Sequence, residues 1–121
     1  MYIKSIEWID SINKEAILGI SDNKDVITCF SHPCNYSIGQ IVTEPLECLD
    51  TIDIAISTTP IFKMERKGIE FNYKLIGKVI DVGKGIVIIE YFILHIDENI
   101  IPKDIKNNDY IEFSTSRIDV W

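Results

Sequence analysis

The chain has 121 residues, 46% hydrophobic and 26% charged, a composition that excludes a disordered protein. Twelve basic side chains against 19 acidic ones give a net charge of −7, which excludes a general binder of phosphate backbones. Isoleucine occurs 26 times, alanine 2 times and leucine 5 times. Because β-branched residues suit sheets whereas alanine and leucine favour helices, this ratio also excludes a helical bundle.

The first part of the chain predicts short strands separated by polar turns. Three apolar stretches predict strands over residues 2–9, 16–20 and 26–31. Residues 21–25 are turn formers, since Asp and Asn side chains cap their own backbone, and they predict a hairpin over 15–31. A loop follows at 32–39. Residues 40–49 are ambiguous, because Pro45 fits both the first turn of a helix and an edge strand.

A strict alternation follows at residues 52–56. Ile52, Ile54 and Ile56 alternate with Asp53 and Ala55, the period of two that is typical of a strand. The pattern predicts a strand with the three isoleucines on one buried face and a wet opposite face.

The second half is more apolar. Alternation over 71–79 predicts a strand, and glycines at 83 and 85 predict a turn after it. Nearly every position of 86–96 is apolar, so we expect one strand that is buried on both faces or bends between two sheets. A polar connection at 102–109 leads into a last strand that begins at Tyr110 and can extend to the end of the chain.

Seven or eight short strands at regular spacing predict an all-β fold with at most one or two helical turns. We expect one domain over residues 1–121, either a small antiparallel barrel, closed or partly open, or a related sandwich. The long central hairpin and the polar connection after it make the strand rhythm similar to that of OB-type barrels. This resemblance covers rhythm only, so it implies a fold and no functional residue.

The expected location is the cytoplasm. Lys4, Glu7 and Asp10 interrupt any apolar signal segment, and no apolar run approaches the roughly 18 residues of a membrane span. Three cysteines are an odd number, which does not suit a closed disulfide framework. We therefore expect reduced cysteines.

The cysteines raise the question of a metal site. Four candidate ligands occur, at Cys29, His32, Cys34 and Cys48. Their number and kind suit zinc, but the Cys-x₂-His-x-Cys spacing is not the common ligand pattern. A cysteine within an apolar strand, such as Cys29, commonly packs as a small hydrophobe. We favour inert cysteines with no metal or other cofactor, over a zinc site or a thiol–imidazole nucleophile.

The charge is uneven along the chain. Residues 63–84 hold six of the 12 basic side chains and three of the 19 acidic ones. Such a run is commonly a solvated face, and the functional alternative is a contact surface. The candidate binding residues are Lys63, Arg66, Lys67, Tyr73, Lys74 and Trp121. For Trp121 we expect docking onto the barrel, with exposure on a binding surface as the alternative.

Two functions compete on these observations. No common catalytic motif is present, so a small acidic chain predicts a non-enzymatic protein that binds a basic partner. It is similar in character, though in no motif, to bacterial immunity proteins and antitoxins, which neutralise basic toxins. The alternative is an OB-like barrel that binds single-stranded nucleic acid or an oligosaccharide through its basic central hairpin. Phe62 and Lys78 would complete that groove.

Overall fold

The computed structural model describes residues 1–68 and 70–121, and their structure is all-β, as predicted. Ile69, within the basic cluster, lies outside the described residues. Eleven strands form one sheet: β1 (Tyr2–Asp10), β2 (Glu15–Ser21), β3 (Val26–Ser31), β4 (Leu46–Leu49), β5 (Ile52–Ile56), β6 (Lys63–Arg66), β7 (Tyr73–Asp81), β8 (Ile86–Ile89), β9 (Phe92–His95), β10 (Tyr110–Thr115) and β11 (Arg117–Asp119). Single 3-10 turns occur at Val82–Lys84 and Glu98–Ile100.

The sheet is open, with β1 and β5 at its two edges. Its order is β1-β2-β3-β11-β4-β9-β8-β7-β10-β5, and β6 pairs with the beginning of β7. The architecture is that of a sandwich or an open barrel, not a closed one. The pairs β3–β11 and β4–β9 are parallel, because long connections let the chain cross over before these strands pair. Strict antiparallel pairing, as expected from the sequence, therefore does not hold throughout.

The turns of the first three strands form as predicted. The Asp10 carboxylate accepts hydrogen bonds from the Ile12 and Asn13 amides at 3.0 and 3.1 Å. The bonds from Asn13 are the main reason that the pKa of Asp10 is lowered. Asp22 plays the same part in the next turn, where it accepts from the Asp25 amide at 2.8 Å. The hairpin predicted over 15–31 is thus confirmed.

The apolar run at 86–96 is not one strand, and that prediction is wrong. It forms a hairpin in which Ile89 lies opposite Phe92. The turn between them is Glu90-Tyr91, with Glu90 at a φ of +54° and Tyr91 75% exposed. Two strands that each bury alternate residues explain the apolar pattern as well as one doubly buried strand does.

The isoleucines of β5 also differ from their expected placement. Ile52 and Ile56 are 59% and 47% exposed, and Ile54 is half-buried. Asp53 has a φ of +58° and adds one residue to β5 relative to β10. Such a β-bulge reverses the alternation, so Ile52 lies on the opposite face from Ile54 and Ile56. The position of β5 at the edge of the sheet leaves both faces only partly covered.

The strand predicted over 71–79 begins at Tyr73, and its alternating residues are buried. Its partner on one side changes from β6 to β8 at Gly77. A Cβ at Gly77 would lie 2.6 Å from Val87 Cγ1 and 2.8 Å from the Ile88 oxygen. Gly77 therefore permits the close approach of β8.

The last predicted strand divides at Ser116 into β10 and β11. β11 lies between β3 and β4, and Val120 donates to the Phe30 carbonyl at 3.0 Å. The side chain of Trp121 is 66% exposed, so the expected docking is wrong. The Tyr36 hydroxyl donates to the Trp121 carbonyl. This bond holds the backbone of Trp121, and its ring stays exposed to solvent. Among the described residues, no helix has the length and apolar character to cross a membrane.

Candidate functional site

The candidate metal ligands are distributed between core and surface. Cys29, Cys34 and Cys48 are free and buried, whereas His32 is exposed. Burial raises the pKa of Cys29 and of Cys48, so both thiols stay protonated at neutral pH and are poor ligands and nucleophiles. Within residues 1–68 and 70–121, no three His, Cys, Asp or Glu side chains are grouped as a metal site. The cysteines pack as core side chains.

The basic residues of the β6–β7 hairpin are partly neutralised by their own neighbours. Lys67 and Lys63 lie 2.9 and 3.1 Å from the Glu65 carboxylate. Hydrogen bonds from Lys67 and Lys63 lower the pKa of Glu65 to about 2. The Arg66 Nε donates to the Glu70 carbonyl at 2.8 Å. This hairpin is therefore a surface of mixed charge.

Tyr73 is not a surface residue, which corrects its place among the candidate binding residues. Its side chain is 5% exposed, because it lies on the core face of β7. Its hydroxyl accepts a hydrogen bond from the Thr28 amide at 2.9 Å. Tyr73 thus links β7 to β3 and cannot stack on a nucleobase or sugar.

The remaining candidates do not share one groove. Lys63 lines a depression beside the turns that precede β3 and β9. Arg66 lines a groove against β1, β2 and β3. Lys67 and Lys74 line the surface beside β5, and Trp121 is exposed near Tyr36. The structure therefore divides the expected basic surface into separate parts.

The surface beside β5 brings together candidate residues and unexpected ones. Its larger part has a volume of about 410 Å³ and is lined by Asp50, Ile52, Lys67, Glu70, Asn72, Tyr73, Ser114, Thr115 and Ser116. The adjoining part is lined by Asp53, Lys67, Lys74, Glu112, Phe113 and Ser114. We call the two parts together the β5 groove.

The β5 groove carries an excess of negative charge. Its carboxylates are Asp50, Asp53, Glu70 and Glu112, and its ammonium groups are Lys67 and Lys74. Four negative and two positive groups give a formal charge of −2. Since Lys67 is already paired with Glu65 at 2.9 Å, the groove favours a positively charged occupant.

The β5 groove also offers hydrogen-bond acceptors and an apolar side chain. The Ser116 hydroxyl lies 3.0 Å from Asp50 Oδ2 and holds that carboxylate in place. Asn72 Oδ1 is buried and has no donor among the described residues. Ile52 supplies the apolar surface.

The backbone of β5 is open on one side. Ser57 donates to the Tyr110 carbonyl at 2.8 Å, and the register places Ala55 opposite Glu112. Backbone groups alternate in direction along an antiparallel pair. Those of Ala55 therefore point towards β10, and the N–H and C=O of Ile56 point away from it.

Of the residues predicted from the sequence, Lys67 and Lys74 line the β5 groove, and the buried Tyr73 only borders it. The acidic and apolar side of the groove was not predicted. Asp50 and Ile52 were missed because the regular alternation hides the bulge. The signal that could have found them is the pair of aspartates at 50 and 53, since Asp tolerates positive φ. Comparisons of the chain with protein-family models, curated proteins and solved structures find no match.

Proposed function

We propose that this chain is a non-enzymatic, cytoplasmic protein-binding domain that holds a basic protein partner, in the manner of an immunity protein or antitoxin. The observation that carries the proposal is the β5 groove, where exposed Ile52 lies among an excess of carboxylates beside an open sheet edge. Apolar contact gives affinity, and complementary charge selects the partner and speeds association.

Internal pairing of the basic side chains strengthens this proposal. Ion pairs within the chain that the structure describes include those of Lys24, Lys63, Lys67 and Arg117, each within 4.0 Å of a carboxylate. The Arg117–Asp119 pair is bidentate, at 2.7 and 2.9 Å. Such pairs reduce the positive charge that the surface presents, in a chain whose net charge is −7.

Capture on the immobilised protein tests the proposal. A lysate of the cells that make it is applied at about 0.1 M salt, and the immobilised protein is then washed at about 1 M salt. The Debye length, beyond which charges are screened, falls from roughly 10 Å to roughly 3 Å between the two. We expect a basic protein to be retained and then released by the wash. Retention that salt does not change, or retention of acidic proteins only, would contradict the electrostatic proposal.

The alternative function, binding of single-stranded nucleic acid or an oligosaccharide, is supported by a different surface. Arg66 lies 5.2 Å from the centre of the Phe71 ring, and both line a groove of about 410 Å³. A cation beside an aromatic ring is typical of single-strand binders. A gel shift at low salt that Phe71→Ala abolishes would favour this alternative. Absence of any shift would exclude single-stranded nucleic acid as the ligand.

A further inference from the structure

We infer that the basic partner presents an extended segment, which adds to the open edge of β5 as a further strand. This inference rests on the proposed function and specifies how the β5 groove takes up its partner. Addition of a strand to an exposed sheet edge is a general mode of peptide recognition, in which backbone hydrogen bonds give affinity and alternate side chains give specificity.

The first support is the unpaired backbone of β5. β5 ends the sheet order, and no described residue pairs with the side that faces away from β10. The N–H and C=O of Ile56 point to this side, because the neighbouring Ser57 donates in the opposite direction, to the Tyr110 carbonyl. An edge with free donors and acceptors is a template for an incoming strand.

The second support is the distribution of side chains on the two faces of β5. Ile56 lies on the core face and is 47% exposed, so alternate apolar side chains of an added strand would cover it. The opposite face carries Ile52 and looks towards Glu112. The intervening side chains of the added strand would lie on this opposite face, where a lysine or arginine would contact the carboxylates of the β5 groove. The fitting segment therefore alternates basic and apolar residues.

Charge selects a basic partner over a second copy of the chain. Two copies would each bring a net charge of −7, and both would carry Asp50 and Asp53 at the edge. Like charges across an interface suppress association. The bulge at Asp53 also distorts the edge, a common protection against self-pairing. A basic strand meets no such repulsion.

The test uses an end-blocked peptide of alternating lysine and valine, about eight residues long, which lies within the usual strand length. It is titrated into the full ¹⁵N-labelled chain. We expect saturable shifts of the amide resonances of Ile54 and Ile56. N-methylation of one alternate set of peptide nitrogens should weaken binding at least about tenfold, or 1.4 kcal/mol, and methylation of the other set should have little effect. A glutamate–valine peptide should not bind.

The matched variants are Ile56→Pro and Ile56→Val. Proline removes the outward N–H without removing a bond to β10, because an edge strand tolerates proline on its free side. We expect Ile56→Pro to lose peptide binding about tenfold and Ile56→Val to keep it.

Three results would overturn the inference. They are equal binding of both methylated peptides, shifts confined to residues outside β5, and absence of binding. If a basic partner is still captured in a salt-sensitive way, the proposed function survives any of them. A concentration-dependent dimer of the wild type, lost in Ile56→Pro, would assign the edge to a second copy instead.

Discussion

His95 lies between two carboxylates that come from different parts of the chain. Its Nδ1 is 2.7 Å from Glu47, directly across the β4–β9 pair, and its Nε2 is 3.2 Å from Glu98. Burial acts to lower the pKa of His95, but the hydrogen bonds and charges of Glu47 and Glu98 outweigh it and raise the pKa above 6.5. The protonated ring therefore fastens β9 to β4.

This arrangement predicts a pH dependence of stability. Because the folded pKa is raised, the stabilisation is complete below about pH 6.5, the unfolded value, and is lost as pH rises through the folded pKa. Between about pH 6 and pH 8, the unfolding free energy of the wild type should fall by about 0.5–1 kcal/mol more than that of His95→Gln. Urea unfolding measures this. His32→Gln is the control, and equal pH dependence of His95→Gln and wild type would contradict the expectation.

Gly85 and Gly39 allow two costs of replacing a glycine to be measured separately: the cost of a positive φ and the cost of a steric clash with the new Cβ. Both have positive φ, +68° and +86°. A Cβ at Gly85 would lie 1.9 Å from the Ile96 oxygen, whereas nothing lies within 4 Å of one at Gly39. We expect Gly39→Ala to lose about 1–2 kcal/mol, the cost of the left-handed conformation, and Gly85→Ala to lose clearly more. Equal losses in thermal or urea unfolding would show that the approach to Ile96 is not tight.

At the scale of the element, β5 should respond differently to proline at adjacent positions. Ala55→Pro removes a hydrogen bond to β10 and leaves the Glu112 carbonyl unpaired, with an expected loss of about 1–3 kcal/mol. Ile56→Pro removes an outward N–H and should cost much less. Urea unfolding of both variants compares them. The reverse order of stabilities would mean that the edge groups of β5 point the other way.

Local turn chemistry made much of the fold predictable. The β2–β3 hairpin and the alternation of β7 follow from residues close in sequence, and the structure confirms them. The hairpin of β8 and β9 was not predictable, because its turn, Glu90-Tyr91, contains none of the residues that usually mark one. The insertion of β11 between β3 and β4 depends on long-range pairing, which no local pattern records.

The candidate site was predictable only in part, for the same reason. The basic cluster drew attention to Lys67 and Lys74, which do line the β5 groove. Its place among the basic residues made Tyr73 a candidate contact, but its side chain is buried and its hydroxyl bonds to Thr28. Asp50 joins the groove because β5 pairs with β10, about 60 residues later in sequence. Only the sheet order brings such groups together.

At the scale of the whole molecule, the two sheet edges are not equivalent. β1 is irregular, with register shifts after Ile3 and Trp8, and its beginning is bridged to Ile41. Bulges and covering segments of this kind protect an edge. β5 has one bulge and a free second half, beside the −2 charge of the β5 groove. Under the proposed function, β5 is the edge available for association, and the charge beside it would select basic partners.

The most direct test of this account compares the affinity of the lysine–valine peptide for two variants of equal charge, at about 0.1 M and 1 M salt. Asp50→Asn/Asp53→Asn removes two charges from the β5 groove, and asparagine tolerates the same positive φ. Glu44→Gln/Asp104→Asn removes two exposed charges that do not line it. At low salt we expect the first variant to bind about threefold to tenfold more weakly than the wild type, since each exposed pair contributes up to about 1 kcal/mol. The second should bind as the wild type does, and high salt should abolish the difference. Equal weakening of both variants, or of neither, would contradict a basic-partner site at β5.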